Sequence, residues 1–209
     1  MSKTTIKRTI KDQIYDIIKE RILAEEFRLG DKINIMSLSA ELGVSNTPVR
    51  EALSMLERDG LVVVTPNAGP RVIEYSPQLF STIENAVEAL VLGAFDLVID
   101  LGKKDDLCAG LEKALAKQVA TYKTADDHEY TRLSQHFDSC FVYTAGNDYL
   151  NRMYEGLIDI FYLVSLYDLS SDGSERLTFI EEHRRILDAL KENRIDETRR
   201  LICRHYARM

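Results

Sequence analysis

The sequence predicts a mainly α-helical protein: an N-terminal winged helix-turn-helix (three helices plus a β-hairpin wing) joined to an all-α bundle of six or so helices. Two observations predict this fold. The first 75 residues contain a short helix, a tight turn, an amphipathic helix and an apolar hairpin, in the order of a winged helix-turn-helix. After them, apolar residues recur at helical spacing and no segment has a convincing strand pattern. We therefore predict two domains, 1–75 and 76–209.

Residues 43–61 organise the first domain. Ser45 or Thr47 can cap a helix whose first turn tolerates Pro48, because the N–H missing there has no partner within the helix. One side of this helix is apolar at helical spacing: Val49, Ala52, Leu53 and Leu56. The other side is polar, with residues four apart: Asn46, Arg50 and Ser54. As the second helix of the motif, it is built to lie in the major groove of DNA.

The elements around this helix follow from the same kinds of pattern. Residues 1–8 form a polar, basic arm, and isoleucines at helical spacing predict a first helix over 10–26. A short second helix is expected over 36–42, ended by Gly43. Two strands, 61–65 and 71–74, flank a tip rich in glycine and proline, which is the predicted wing.

The second domain is predicted to contain six helical segments: 78–101, 104–123, 126–144, 148–168, 174–191 and 194–208. At one break, Gly146 is expected to end a helix in the left-handed conformation, and Asn147 is expected to cap the next helix. The most apolar run, 86–101, is interrupted by acidic residues, which indicates a core helix and no membrane partner.

The formal net charge of −7 resides in the second part of the chain, because basic and acidic residues balance over 1–77. A neutral first domain can still present a basic face to nucleic acid. Cys108, Cys140 and Cys203 are odd in number and widely spaced. We therefore expect reduced, partly buried thiols in a cytoplasmic protein.

Four pieces of the first domain resemble the DNA-binding domain of the GntR family of bacterial transcriptional regulators: Ile14-Tyr-x-x-Ile, Leu38-x-x-Glu-Leu-Gly-Val-Ser, Thr47-Pro-Val-Arg-Glu-Ala-Leu and Leu56-x-x-x-Gly-Leu-Val. The second domain is similar to the FCD domain, the effector-binding domain of the FadR branch, at Phe137, Ala145-Gly-Asn, Leu150, Glu182-His183-x-x-Ile-Leu-x-Ala-Leu and His205. The resemblance implies a homodimeric regulator, not an enzyme, that binds a pseudo-palindromic double-stranded DNA operator and responds to a small-molecule effector, with a carboxylate as one candidate. We expect repression, with activation left open.

The resemblance also implies a set of DNA contacts: Ser45, Asn46, Thr47, Arg50, Gly69, Arg71 and Arg8. The family usually has an arginine where this chain has Met36 and Asn46, and basic residues before the wing glycine, so only Arg50 remains of the usual arginines. Because arginine pairs best with guanine and asparagine with adenine, we predict a different operator sequence. Asn46 either contacts a base or only begins the helix, and Met36 is interpreted as a packing residue. Arg50 is assigned to DNA over an ion pair with Glu51.

Many FCD domains hold a divalent metal with one aspartate and three histidines, and the resemblance places these positions on Ser134, Asp138, His183 and His205. The last three make a two-histidine, one-carboxylate set that suits zinc, nickel or manganese, whereas Ser134 can reach a metal only through water. His136 lies on another side of its helix and is not expected to replace a ligand. The alternative is that the histidines are hydrogen-bonded core residues.

The same helices should line an effector pocket, for which Ser134, Tyr143 and Tyr162 are candidates, with simple packing as the alternative for the tyrosines. Many family members bind an effector carboxylate through an arginine, but that position here is Glu84, which weakens the case for an organic acid. Two other functions remain open on the sequence. A metal-dependent hydrolase or lyase would show turnover sensitive to a chelator. An interaction module that has lost DNA would show no steeply salt-dependent DNA binding.

Overall fold

A computed structural model describes residues 8–168 and 174–207, and it confirms a mainly α-helical fold with a β-hairpin. The chain divides into two compact units, Met1–Tyr75 and Ser76–Met209. The first contains α1 (Ile10–Leu23), α2 (Ile35–Leu42), α3 (Asn46–Arg58), β1 (Val62–Thr65) and β2 (Gly69–Val72). The second contains α4 (Pro77–Asp100), α5 (Lys104–Thr121), α6 (Asp127–Ala145), α7 (Asp148–Asp168), α8 (Ser174–Lys191) and α9 (Ile195–Tyr206).

The core of the first unit lies between α1 and α3, which pack against each other. Its buried residues include Ile14, Ile18 and Ile22 from α1 and Val49, Ala52, Leu53 and Leu56 from α3. Full burial of each aliphatic side chain contributes about 1.5–3 kcal/mol relative to exposure. This contact therefore fixes the orientation of α3 about its own axis.

The wing is an antiparallel hairpin in which Val62 pairs with Val72 and Thr65 pairs with Gly69. The bounds predicted for the second strand are wrong by two residues, because Gly69 and Pro70 pair with β1 instead of forming part of the tip. The tip is therefore short, and Asn67 within it has a φ of 66°, which asparagine tolerates better than most residues.

The turn between α2 and α3 depends on Gly43, which has a φ of 66° and ends α2 in the left-handed conformation. A Cβ added there would meet nothing within 4 Å, so a substitution would strain only the backbone. We expect Gly43→Ala to lower the free energy of unfolding by about 1 kcal/mol. Gly93→Ala, in equally open space within α4, should raise it by roughly 0.5–1 kcal/mol. Urea denaturation followed by circular dichroism checks both, and shifts of the same sign would contradict the backbone explanation.

In the second unit, α6 packs against α4, α5 and α7, and α8 packs against α5 and α9. Phe95 and Phe137 each meet Phe141 edge to face, with ring centroids 6.1 Å apart. Tyr130 and Tyr154 are fully buried on α6 and α7. These aromatic contacts keep the inner side of α6 away from water.

The predicted helices of this unit are present, with ends that differ by up to two residues. Asn147 caps α7 as predicted, because its Oδ1 accepts hydrogen bonds from the backbone N–H groups of Tyr149 and Leu150 at 3.0 and 3.2 Å. The three cysteines are free thiols of intermediate burial. Within the described residues, every helix is too short or too polar to cross a lipid bilayer.

Candidate DNA-contact helix and metal centre

The exposed side of α3 carries a polar ridge, formed by Asn46, Thr47 and Arg50. The opposite side of the helix is buried in the core of the first unit. Because that apolar side is fixed by packing, the polar ridge has a fixed direction. A helix divided in this way can enter the major groove with the ridge toward the base edges.

A shallow groove lies along the polar ridge and is lined by Lys11, Thr47, Arg50, Glu51, Ser54 and Met55. Across residues 8–168 and 174–207, the guanidinium of Arg50 has neither an ion pair nor a hydrogen bond, so the alternative pairing with Glu51 is not formed. Its N–H donors can therefore meet an external acceptor, such as a guanine edge or a phosphate.

Asn46 connects α3 to α2 while remaining exposed. Its Oδ1 accepts a hydrogen bond from Ser39 Oγ at 2.7 Å. Ser45 is the N-cap residue of α3, but its side chain makes no capping hydrogen bond. Asn46 thus supports the start of the helix and also has the exposure that contact with a base requires.

Met36 does not pack as the sequence predicted, because its side chain is 74% exposed in the first turn of α2. The buried side of α2 is formed by Leu38 and Ser39. Two residues along a helix correspond to a rotation of about 200°, so Met36 lies on the side opposite Leu38. The packing interpretation is therefore wrong.

The remaining residues of the predicted DNA-contact set lie outside the polar ridge. Arg8 pairs with Asp16 on the exposed surface, and Arg71 on β2 donates to the carbonyl oxygen of Gly30. Gly69 begins β2 with a φ of 82°. Exposed contacts of this kind contribute at most about 1 kcal/mol, so either arginine can exchange its partner for a phosphate.

Asp138, His183 and His205 converge in the interior of the second unit, from α6, α8 and α9. All three are buried, and one potential ligand atom from each lies within 4.8 Å of the other two. The Nε2 atoms of the two histidines are 3.3 Å apart. His205 Nε2 lies 3.9 Å from Asp138 Oδ1. We call these three residues the buried triad.

Each imidazole of the buried triad is held through its other nitrogen. Nδ1 of His183 donates to Gln118 Oε1 at 2.8 Å, and Nδ1 of His205 donates to Glu182 Oε2 at 2.7 Å. With both rings neutral, two Nε2 lone pairs would face each other, an arrangement that is repulsive unless a proton or a metal cation lies between them. Two nitrogens on one tetrahedral zinc, each about 2.0–2.1 Å from the ion, are separated by about 3.3 Å. The buried triad therefore fits a divalent metal.

Further contacts fix the orientation of His183. Gln118 Nε2 donates to Tyr130 Oη at 3.1 Å, and Tyr130 Oη donates to the carbonyl oxygen of Arg176 at 2.8 Å. The ring of Phe137 stacks on the imidazole, with centroids 3.9 Å apart. Partners of this kind, which touch the ligands and not the metal, commonly change metal affinity by about 10–100-fold when they are lost.

The other predicted site residues of this unit lie around the triad or away from it. Ser134 is half-buried one turn before Asp138, and His136 is exposed. Tyr143 is 48% exposed. Tyr162 is buried, with its hydroxyl 2.6 Å from Nδ1 of His128 at the start of α6. The Tyr162 hydroxyl thus contacts His128, and the ring of Tyr143 meets that of Tyr154 edge to face, with centroids 6.3 Å apart.

Two tyrosines that the sequence analysis did not select, Tyr154 and Tyr206, place buried hydroxyls near Asp138. Burial and the nearby charge of Asp138 raise the pKa of both phenols well above the usual value, so both remain protonated. Tyr206 directly follows the predicted ligand His205, so the sequence alone could have placed it close to the triad. No neighbouring residue in the sequence indicates such a position for Tyr154, because only the packing of α7 on α6 brings it near Asp138.

Comparison with known families gives two matches along the chain. Residues 10–72 match the bacterial regulatory proteins of the gntR family, and residues 86–208 match the FCD domain. The chain belongs to the GntR family, in the branch with an FCD domain. Its first unit is thus a GntR-type DNA-binding domain, and its second is an FCD effector-binding domain.

Relatives of this GntR-family chain carry the names of transcriptional regulators. The uncharacterized HTH-type transcriptional regulator YdhC of Bacillus subtilis is 28% identical, over 93% of this chain and 86% of that protein. The probable D-xylose utilization operon transcriptional repressor of Paenarthrobacter nicotinovorans is 27% identical, over 91% of this chain and 82% of that protein.

Two solved structures share the fold of this GntR-family chain. Escherichia coli McbR/YncC matches with a TM-score of 0.72 and 23% identity, over 95% of this chain and 94% of that one. A putative GntR transcriptional regulator from Rhodococcus sp. RHA1 matches with a TM-score of 0.71 and 20% identity, over 94% of this chain and 93% of that one. At these identities the likeness establishes the architecture alone.

Proposed function

We propose that this GntR-family regulator is a repressor that binds a pseudo-palindromic operator as a homodimer and releases it when a small molecule binds the FCD domain. The observation that carries the proposal is the polar ridge, with an Arg50 guanidinium that has no partner among the residues described. The relative named as a probable repressor of a D-xylose utilization operon supports repression as the direction of control.

In this proposal the contact residues divide into two groups. Arg50 pairs with the O6 and N7 acceptors of a guanine, Asn46 pairs with an adenine, and Thr47 contacts a thymine methyl group. The others bind phosphates and set the register without specifying sequence: Ser45, Gly69, Arg71 and Arg8.

A homodimer would place two copies of α3 on half-sites about 34–36 Å apart, one turn of the double helix. An effector that prefers one arrangement of the two DNA-binding domains over another would change operator affinity by roughly 1–3 kcal/mol. Repression then follows from occupancy of the operator.

We further propose that Asp138, His183 and His205 hold one divalent metal ion, with zinc, nickel and manganese as candidates. Ser134, one turn before Asp138, would occupy the fourth position through water. The ion would supply positive charge and open coordination positions for an effector. We propose that Ser134, Tyr143 and Tyr162 line the effector pocket. The ring of Tyr143 meets that of Tyr154 edge to face, and the Tyr162 hydroxyl contacts His128.

Selection of bound duplexes from a random DNA pool tests the proposal directly. We expect an enriched sequence with two-fold symmetry and a half-site spacing of about one helical turn. Metal analysis of the same purified protein should give about one divalent ion per chain. No enrichment over random competitor at low ionic strength, with metal present, would reject the operator-binding proposal.

Lys11 lines the groove beside Arg50 on a different helix and is exposed, which suits contact with a phosphate. We expect Lys11→Ala to weaken binding to selected and random duplexes by the same factor. The slope of log affinity against log salt should fall in magnitude by about 1 per half-site. Titrations over a salt series measure this slope. A loss confined to the selected sequence would show instead that Lys11 contacts bases.

A further inference from the structure

A chain of hydrogen bonds connects His183 of the buried triad to the start of α8. Nδ1 of His183 lies 2.8 Å from Gln118 Oε1, and Gln118 Nε2 lies 3.1 Å from Tyr130 Oη. Tyr130 Oη lies 2.8 Å from the carbonyl oxygen of Arg176. His183, Gln118 and Tyr130 are fully buried, each with 0% exposure. Bulk water therefore does not reach the groups that form this chain.

The last acceptor of the chain is a backbone carbonyl that the side chain of its own residue holds in place. The Arg176 guanidinium donates to the carbonyl oxygens of Tyr122 and Ala125 at 2.9 and 2.8 Å. It pairs with Asp127 at 2.5 Å and lies over the Tyr130 ring, 4.7 Å from the centroid. The start of α8 is thereby fixed against the connection between α5 and α6.

This carbonyl oxygen sets the direction of every hydrogen bond in the chain. It has no hydrogen, so the one hydroxyl hydrogen of Tyr130 is donated to it. Toward Gln118 the tyrosine oxygen can then only accept, which places the amide nitrogen of Gln118 on the tyrosine side and its oxygen on the histidine side. An amide oxygen also only accepts. Nδ1 of His183 therefore carries a proton, and Nε2 is the nitrogen that faces His205.

The reversed chain would close the buried triad to a metal ion. If the Gln118 amide were turned over, its nitrogen would donate to Nδ1 of His183, and the proton of the neutral imidazole would move to Nε2. His183 Nε2 could then donate to His205 Nε2, 3.3 Å away, which satisfies both rings without a cation. A ligand nitrogen must be deprotonated, so this tautomer of His183 cannot bind the ion. In the absence of metal, the two histidines alone therefore favour the tautomer that cannot bind it.

We propose that Tyr130 is a positioning residue for the metal site: by accepting from Gln118, its hydroxyl keeps the proton of His183 on Nδ1 and holds Nε2 ready for a divalent ion. Tyr130 acts on the ion through two other side chains. Tyr130→Phe removes one oxygen and leaves the buried amide nitrogen of Gln118 without this acceptor, which is unfavourable. The reversed chain gives that nitrogen an acceptor again, at Nδ1 of His183. This inference rests on the metal ion proposed for the buried triad.

Nitrogen-15 NMR of the imidazole rings tests the proposal in the metal-free, full-length protein at about pH 8, where a free histidine is neutral. The chemical shifts of the two ring nitrogens show which of them carries a proton. We expect a proton on Nδ1 of His183 in the wild type, and a proton on Nε2 with none on Nδ1 in Tyr130→Phe. Zinc affinity, measured by competition with a chelator, should fall at least about tenfold in that variant.

The matched control is Tyr122→Phe, which removes a hydroxyl from a half-buried tyrosine beside the same chain and keeps its backbone carbonyl. It should leave the tautomer of His183 and the zinc affinity unchanged. The rescue is the double variant Tyr130→Phe/Gln118→Glu. An ionised carboxylate only accepts, as Glu182 does from Nδ1 of His205, so the double variant should return the proton of His183 to Nδ1.

A proton that stays on Nδ1 of His183 in Tyr130→Phe would overturn the proposal. So would an Nδ1 without a proton in the wild type or in the double variant, or the same change of tautomer in Tyr122→Phe. The metal ion itself is judged separately on the same samples. If the wild type has the expected tautomer and binds no zinc, the proposed metal site fails and the control of the tautomer by Tyr130 stands. If the wild type binds zinc and the tautomer is the same in every variant, only the role of Tyr130 fails.

Discussion

Arg50→Ala is expected to abolish selective operator binding while leaving the fold intact. Arg50 is exposed on α3 and forms no side-chain hydrogen bond or ion pair within the described residues, so its removal breaks no polar contact inside the protein. A bidentate arginine–guanine contact contributes about 1–3 kcal/mol of discrimination. Both half-sites of the proposed dimer lose it, so the preference for operator over random duplex should fall by at least about thirtyfold. Competition titrations at fixed salt measure this ratio.

The matched control is Arg58→Ala, at the other end of the same helix, where the side chain is 73% exposed and pairs with Asp59 at 3.6 Å. It removes the same charge two turns away from the polar ridge, and we expect little change in selectivity. Arg50→Lys keeps the charge but not the bidentate geometry, so it should retain binding to random duplex and lose selectivity. Full selectivity in Arg50→Ala would remove this residue from the proposed base contacts.

Asp138→Asn should remove the proposed metal ion from the FCD domain without opening a cavity. Asparagine has nearly the same shape but lacks the negative charge that a divalent ion requires in this buried position. We expect metal affinity to fall at least a hundredfold. The rise in melting temperature on adding metal should disappear with it, because a ligand stabilises only the state that binds it. Metal analysis after dialysis and a thermal melt with and without added zinc measure the two effects.

His136→Ala is the control for this substitution, since His136 is exposed on the same helix two residues before Asp138. It should leave metal content and the metal-dependent melting shift unchanged. If wild type, Asp138→Asn and His136→Ala all melt at the same temperature with and without metal, the buried triad is a hydrogen-bonded core and not a metal site.

Local patterns carried most of the information about the fold. The helices and their breaks follow from 3.6-residue periodicity and from residues such as Gly43, Gly146 and Asn147, which act within a few positions of themselves. The second strand of the wing was predicted to start two residues too late. Its start depends on pairing with β1, and that pairing is not a local feature of the sequence. The prediction that Met36 packs was wrong for a related reason. Apolar residues are buried on average, but α2 turns the side with Leu38 toward the core and leaves Met36 on the opposite side.

The sequence by itself determined the two-part architecture, the GntR resemblance and the division of α3 into a buried side and a polar ridge. Each is set by short-range spacing along the chain. Only the tertiary structure decided that Asp138, His183 and His205 meet, and that Gln118 and Glu182 orient the imidazoles. These residues come from helices far apart in sequence. Side chains on different helices are brought within a few ångströms by core packing alone, which no periodicity within one helix records.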